Sequence, residues 1–174
     1  MVTIIGLKII DRIKEAGLTQ IVLSRYSDLI TTRLGFHELT NETCSREAYM
    51  ILHINADTYE TKKLLSELKT VGGMEVREMT FNDDEAYTGF SSEEGALRFL
   101  GILMEKIPDT VAAVQKILTS YGCVIRTRMG VNEDFFGNPA GLVIIELMGD
   151  EIQMDLLERD LMKLSGIRLR KMTF

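Results

Sequence analysis

Two short segments, Thr32-Arg33 and Thr127-Arg128, each lie just ahead of a glycine, Gly35 or Gly130, and of a polar stretch that carries Glu38 or Glu133. An arginine guanidinium presents a planar fork of donors that matches carboxylate or phosphate in bidentate fashion. Two such forks near a twofold axis would grip a small anion, which makes Arg33, Arg128, Glu38 and Glu133 the candidate ligand-binding residues. The competing reading is a solvated edge strand whose arginines discourage stray sheet pairing. His37, Cys44 and His53 could gather around one loop and strand. Their spacing is not that of a metal motif, and the matching positions in the second half of the chain hold no histidine. There is no phosphate-binding glycine loop, nucleophile elbow or cysteine pair at zinc spacing. The expectation is a protein that is not an enzyme and holds no metal or cofactor. Phe135-Phe136 would form either an interaction tip or a flap folded back over a sheet.

What must position these residues is a structure built twice. Gly73 to Phe81, GMEVREMTF, returns as GIRLRKMTF from Gly166 to Phe174, and self-similarity of this kind decides how the rest is read. Val2 to Ile9 and Leu97 to Met104 read as central strands, with Gly6 and Gly101 at the same place. A glycine inside a strand marks close approach, here by an overlying helix or by a ligand. Helices follow over about Arg12 to Tyr26 and Pro108 to Tyr121; in the second, Val111, Val114, Leu118 and Tyr121 share one face. Second strands are expected over Asp28 to Gly35 and Cys123 to Gly130, then polar loops over Phe36 to Glu47 and Val131 to Ala140. Third strands follow over Ala48 to Asn55 and Gly141 to Met148. GLVIIELM, apolar at nearly every position, implies a sheet covered on both faces. Asp57 and Asp150, with Glu60 and Gln153 three residues on, open second helices in the capping-box pattern. Leu64, Leu68 and Val71 repeat as Leu157, Leu161 and Leu164. Gly72-Gly73 and Ser165-Gly166 stop those helices in the left-handed conformation.

Each copy is therefore β-α-β-β-α-β, and the fold class is α+β: two tandem ferredoxin-like repeats, each a four-stranded antiparallel sheet with both helices on one face. Residues 1–81 form the first repeat, 82–96 an acidic linker and 97–174 the second. The net charge of −6 disfavours a phosphate backbone as partner, because that binding is driven by Lys and Arg displacing counterions. Arg33, Arg77, Arg126, Arg128, Arg168 and Arg170 are the candidates for any local basic patch. No apolar run approaches the roughly 20 residues of a membrane-spanning helix. No signal peptide is evident, so the expected location is the cytoplasm. Cys44 and Cys123 fall at non-matching places in the two copies and read as free thiols. The ten methionines read as core filling.

Tyr121 to Val131, YGCVIRTRMGV, follows a helix and is succeeded by strand, helix and a strand ending LSGIRLRKMTF. In this the chain resembles the iron-only hydrogenase system regulator family over about Leu97 to Phe174, and more faintly over Val2 to Phe81. Members look like ACT domains and the C-terminal domain of the nickel-responsive repressor. The resemblance implies small-ligand or metal sensing and side-by-side or sheet-to-sheet oligomerisation. Two features depart from those patterns: no glycine follows the proline of EKIPDT, Glu105 to Thr110, and the repressor's clustered histidines and cysteine are missing. No DNA-binding segment precedes the first copy, so a complete transcription factor is not expected. The resulting expectation is a non-enzymatic regulatory protein that binds a small anionic ligand and forms a homo-dimer. A protein-interaction or assembly module without a ligand is the alternative, and an enzyme using His53 is a third reading.

Overall fold

The apolar run Val2–Ile9 forms the first strand, β1, buried at every position except the partly exposed Lys8. It is followed by α1 (Arg12–Arg25), a 3₁₀ turn (Ser27–Leu29), β2 (Ile30–Phe36), β3 (Ala48–Ile54), α2 (Thr58–Thr70) and β4 (Met74–Phe81). The same order returns as β5 (Arg98–Glu105), α3 (Pro108–Ser120), a 3₁₀ turn (Gly122–Val124), β6 (Ile125–Phe135), β7 (Asn138–Leu147), α4 (Glu151–Met162) and β8 (Ile167–Thr173). In this computed structural model the described residues are 2–37, 45–82, 97–105, 108–135 and 138–174; the side chains at 105, 108, 132–135 and 138–139 are outside the description. Most of the acidic linker, residues 83–96, also lies outside it. The chain divides into two compact units, residues 1–80 and 81–174. Each holds one four-stranded sheet, ordered β2-β3-β1-β4 and β6-β7-β5-β8, so the tandem α+β architecture read from the repeats is the observed one.

In the first unit, Ile5, Leu7 and Ile9 of β1 join Leu52 and Ile54 of β3 and Val22, Leu23, Leu64, Leu65 and Leu68 of the helices in one core. Leu100, Ile102, Ile145, Val114, Leu118, Leu157 and Leu161 do the same in the second. Alternate strand residues point to opposite faces, so Gly6 and Gly101, flanked by core residues, lie on the face away from the helices. That overturns the reading of these glycines as seats for an overlying helix. Ile4, Ile51, Phe99 and Ile144, on the same pleat as the glycines, are also buried.

Helix ends follow the chemistry expected of them. The Asp57 carboxylate accepts from the Glu60 N–H at 2.8 Å, and Asp150 from the Ile152 and Gln153 N–H groups at 2.8 and 3.1 Å. These bonds satisfy donors that the first turn leaves free. Asp11 does the same for α1. Gly73 and Gly166 adopt φ of 66° and 75°, the left-handed stop that an L side chain would strain.

One expected loop is largely strand. The polar stretch from Val131 to Ala140 continues β6 into a longer hairpin, pairing Asn132 with Gly141, Glu133 with Ala140 and Phe135 with Asn138. Ladder hydrogen bonds use backbone groups that every non-proline residue carries, so a polar composition does not prevent pairing. The starts of β2 and β6 also shift: Asp28 and Cys123, expected to begin strands, sit in the 3₁₀ turns.

A repeated tyrosine ties the two helices of each unit together. Tyr26 donates to Glu67 and Tyr121 to Asp160, both at 2.6 Å. The Tyr26 hydroxyl, then Arg25, holds the Glu67 carboxyl below its ordinary pKa, and Lys163, then Tyr121, does so for Asp160. A carboxyl depressed in the folded state contributes stability that is present above its unfolded pKa and is lost as pH falls through the folded value. Urea unfolding followed from about pH 6 to about pH 3 should therefore show falling stability. A Tyr121→Phe variant should be less stable at neutral pH and show a shallower acid decline; an unchanged acid profile would count against the bond.

Candidate functional site

Arg33 and Arg128 occupy equivalent exposed positions on the edge strands β2 and β6. Arg33 Nη1 donates to Gln20 Oε1 of α1 at 2.9 Å, so part of its fork already has a partner. Glu38 lies outside the described residues. Glu133 is placed by its backbone within β6, while its side chain is outside the description, as are that of Phe135 and the whole of Phe136. His53 is buried on β3, its Nδ1 2.7 Å from Thr31 Oγ1. At the matching place in the second unit the buried Glu146 lies 3.4 Å from Arg126 Nη1. His37 is partly exposed just beyond β2, and Cys44 lies outside the described residues. Cys123 is exposed. Among the described residues no group of three or more His, Cys, Asp or Glu side chains could hold a metal ion.

The first unit contains a cavity of about 400 Å³ where α2 passes over the ends of β1 and β4. Its helix wall comprises Thr58, Thr61, Lys62, Leu65, Ser66 and Lys69, residues at three- and four-step spacing on one helical face. Thr3 of β1 and Glu78 and Thr80 of β4 form the strand wall. Thr3 and Thr61 are 2% and 4% exposed, and neither hydroxyl has a hydrogen-bond partner among the described residues. A hydroxyl cut off from water without a partner is destabilising by about 1–3 kcal/mol, and both oxygens are sealed behind the cavity wall, so the polar chemistry of the cavity comes from the charged side chains at its mouth. Lys62, Lys69 and Glu78 are exposed at the mouth, and no ion pair ties them up among the described residues.

The second unit fills the equivalent place with its own side chains. Arg98 stands where the first unit has Thr3, and its Nη1 lies 2.8 Å from Asp155 Oδ1 and 2.9 Å from Glu158 Oε1. Lys171, matching Glu78, completes the cluster 3.4 Å from Glu158 Oε2. Burial pushes the Glu158 carboxyl above its ordinary pKa, and Lys171 and Arg98 pull it back. Every charged position thus differs between the units. Asp155 is replaced by Lys62, Glu158 by Leu65, Lys171 by Glu78, and the long Arg98 by a short threonine. The signal was present in the aligned copies, as two positions where charge reverses and two where it is lost. Only the fold shows that these positions surround one space.

No helix among the described residues is long and apolar enough to cross a membrane. No family model and no curated protein matches the chain. Among solved structures the chain is similar to an uncharacterized protein from Thermotoga maritima, at 20% identity over 45% of this chain and 96% of that one, with a TM-score of 0.40. It is also similar to the acetolactate synthase small subunit from Thermotoga maritima, at 9% identity over 100% and 98% of the two chains, TM-score 0.37. A chlorite dismutase variant from Candidatus Nitrospira defluvii is 8% identical over 99% and 91%, TM-score 0.39. Likenesses this distant include both a synthase small subunit and a dismutase, and they assign no function to this chain.

Proposed function

We propose that this protein is a non-enzymatic regulatory protein that binds a small polar ligand, and that the cavity of its first unit is where the ligand sits. The observation that carries this is a cavity of about 400 Å³ between α2 and the strands β1 and β4, with Lys62, Lys69 and Glu78 among its lining residues. That volume is in the range of small-molecule sites, and the walls combine a few polar groups with the apolar Leu65. The resemblance of residues 97–174 to hydrogenase-system regulators supports regulation as the use of that binding. Arg33 and Arg128, with Glu38 and Glu133, are proposed as further anion-binding positions on the edge strands.

Thermal-shift screening with amino acids, nucleotides and divalent metals tests this reading, using the native chain alongside Thr61→Val, Arg33→Ala and Arg128→Ala. A ligand that binds only the folded state stabilises it by mass action, by roughly 2.7 kcal/mol at a hundredfold excess over Kd. The Thr61→Val exchange replaces an unpartnered hydroxyl by a methyl of similar shape. It should raise the stability of the protein by about 1 kcal/mol, while loss of the ligand response in Arg33→Ala or Arg128→Ala would place the ligand on the edge strands instead of in the cavity. If no compound produces a shift, the assembly-module alternative is favoured. Destabilisation by Thr61→Val would show that its hydroxyl is already satisfied.

A further inference from the structure

We infer that the outer face of α1 is the surface through which two copies of this chain pair, their α1 helices antiparallel and crossing at Gly17. This is independent of the cavity and of any ligand in it. On the core side of α1 the polar Glu15 and Thr19 are buried alongside Val22 and Leu23. On the opposite side Ile13, Leu18 and Ile21, with Ile10 just ahead of the helix, are between 49% and 68% exposed. Large apolar side chains grouped on one exposed face mark an interaction surface. The fold itself does not demand this arrangement. In the second unit the aligned positions hold Pro108, Ala113, Lys116 and Glu105, and the inward position matching Thr19 is the buried Val114.

Gly17 lies at the middle of this face, about one turn from Ile13 and about one turn from Ile21. Its backbone is not in the left-handed region, and a side-chain carbon built there would meet nothing within 4 Å. Glycine lowers helix stability relative to alanine, so nothing inside the chain accounts for it, whereas close approach by a second helix does. Ile13, Gly17 and Ile21 form one ridge of residues four apart, and interlocking two such ridges gives a crossing of about 50°, the commonest among packed helices. With a twofold axis at Gly17, Ile13 of one copy comes level with Ile21 of the other, and the reverse. Neither a lipid surface nor an unrelated helix requires a spacing that reads the same from both ends. The ridge and its extensions, Ile10 and Ser24, carry no charge, as a self-complementary contact requires, because a charge near the axis would meet its own copy. Lys14, beside the ridge, already pairs with Glu15. One helix against one helix covers less than the ~800 Å² per partner of a standard stable complex, so the pairing should be reversible.

Sedimentation equilibrium of the full chain over a concentration series tests the inference. The native protein should show a reversible monomer–dimer equilibrium. Ile13→Glu and Ile21→Lys should each raise the dissociation constant by about tenfold or more, since each buries an unpaired charge in the contact. Both residues are more than half exposed in the single chain, so the variants should keep the native circular dichroism. The double variant, Ile13→Glu with Ile21→Lys, should recover most of the loss, because each new carboxylate then faces a new ammonium on the partner copy. Within one helix the two positions are too far apart to pair, so the recovery reports the antiparallel contact. Gly17→Ala should stabilise the monomer against urea and weaken the dimer. A chain that stays monomeric throughout, or a dimer untouched by the single variants, would overturn the inference. A double variant no tighter than the single ones would overturn the antiparallel pairing, and a Gly17→Ala dimer as tight as the native one would overturn the crossing point. Flotation with phosphatidylcholine–phosphatidylserine vesicles covers the other occupant. Vesicle binding by a monomeric chain, lost in both single variants and not regained in the double, would assign the face to a lipid surface instead.

Discussion

Replacing Arg98 by methionine is expected to destabilise the second unit by about 3 kcal/mol at neutral pH. The reason is Glu158, whose side chain is 2% exposed and would keep, among the described residues, only Lys171, at 3.4 Å, as a cationic partner. Removing one member of a buried pair is far more damaging than removing both, because the survivor is a charge without water or counterion. The double variant Arg98→Met with Glu158→Leu should therefore recover most of the loss and lie within about 1–2 kcal/mol of the native protein. Asp155, largely exposed, contributes little to the cycle because water can replace Arg98 as its partner.

The pH dependence follows from the same carboxyl. Burial raises the folded pKa of Glu158 against the opposing pull of Lys171 and Arg98, and loss of Arg98 raises it further. For a carboxyl raised in the folded state, stability is fully present below the unfolded pKa and is lost as pH rises through the folded value. The Arg98→Met penalty should therefore be largest near neutrality and shrink towards about pH 4. Urea denaturation at both pH values measures it. A penalty that grew on acidification, or a double variant as unstable as the single, would show that the cluster is not held together by the buried charge.

The second large effect is expected at Leu157. This residue of α4 is fully buried among Leu100, Ile102, Val114, Leu118 and Ile145, and truncation to alanine should reduce stability by about 2–5 kcal/mol. Lost transfer free energy and the void left behind both contribute, the second because a packed core relaxes only in part. Leu157→Met, which nearly conserves volume, should stay below about 1.5 kcal/mol. The equivalent Leu64→Ala in the first unit should behave alike, since Leu64 is equally buried. Chemical unfolding measures each, and a loss below about 1 kcal/mol for Leu157→Ala would mean that α4 does not anchor its core.

The repeats were legible because their signals are local. Leu64 and Leu68 lie one helical turn apart, Asp57 stands three residues before Glu60, and Gly73 follows the last turn; each can be read from a few neighbouring residues. The misreadings occurred where local composition is a poor guide. Residues 131–135 are mostly polar yet pair as strand, because ladder bonds depend on backbone geometry and a partner segment, not on side-chain polarity. Gly6 was expected beneath a helix, but which face a strand residue takes is set by the pleat of its neighbours, and Ile5 and Leu7 claim the helix side.

The candidate site divides along the same line. Arg33 and Arg128 stood out because they recur before a glycine, and the structure places both on edge strands. Thr3, Thr61, Lys62 and Glu78 drew no attention, since each is ordinary where it stands. By itself the amino-acid sequence determined the order of elements, the duplication and the helix ends, all consequences of periodicity and backbone preference over a few residues. Tertiary structure alone decided that residues from opposite ends of the first unit enclose a polar cavity, and that Arg98 fills the matching place in the second. That outcome depends on how α2 and α4 lie across their sheets, and packing of this kind is governed by contacts between segments far apart in the chain.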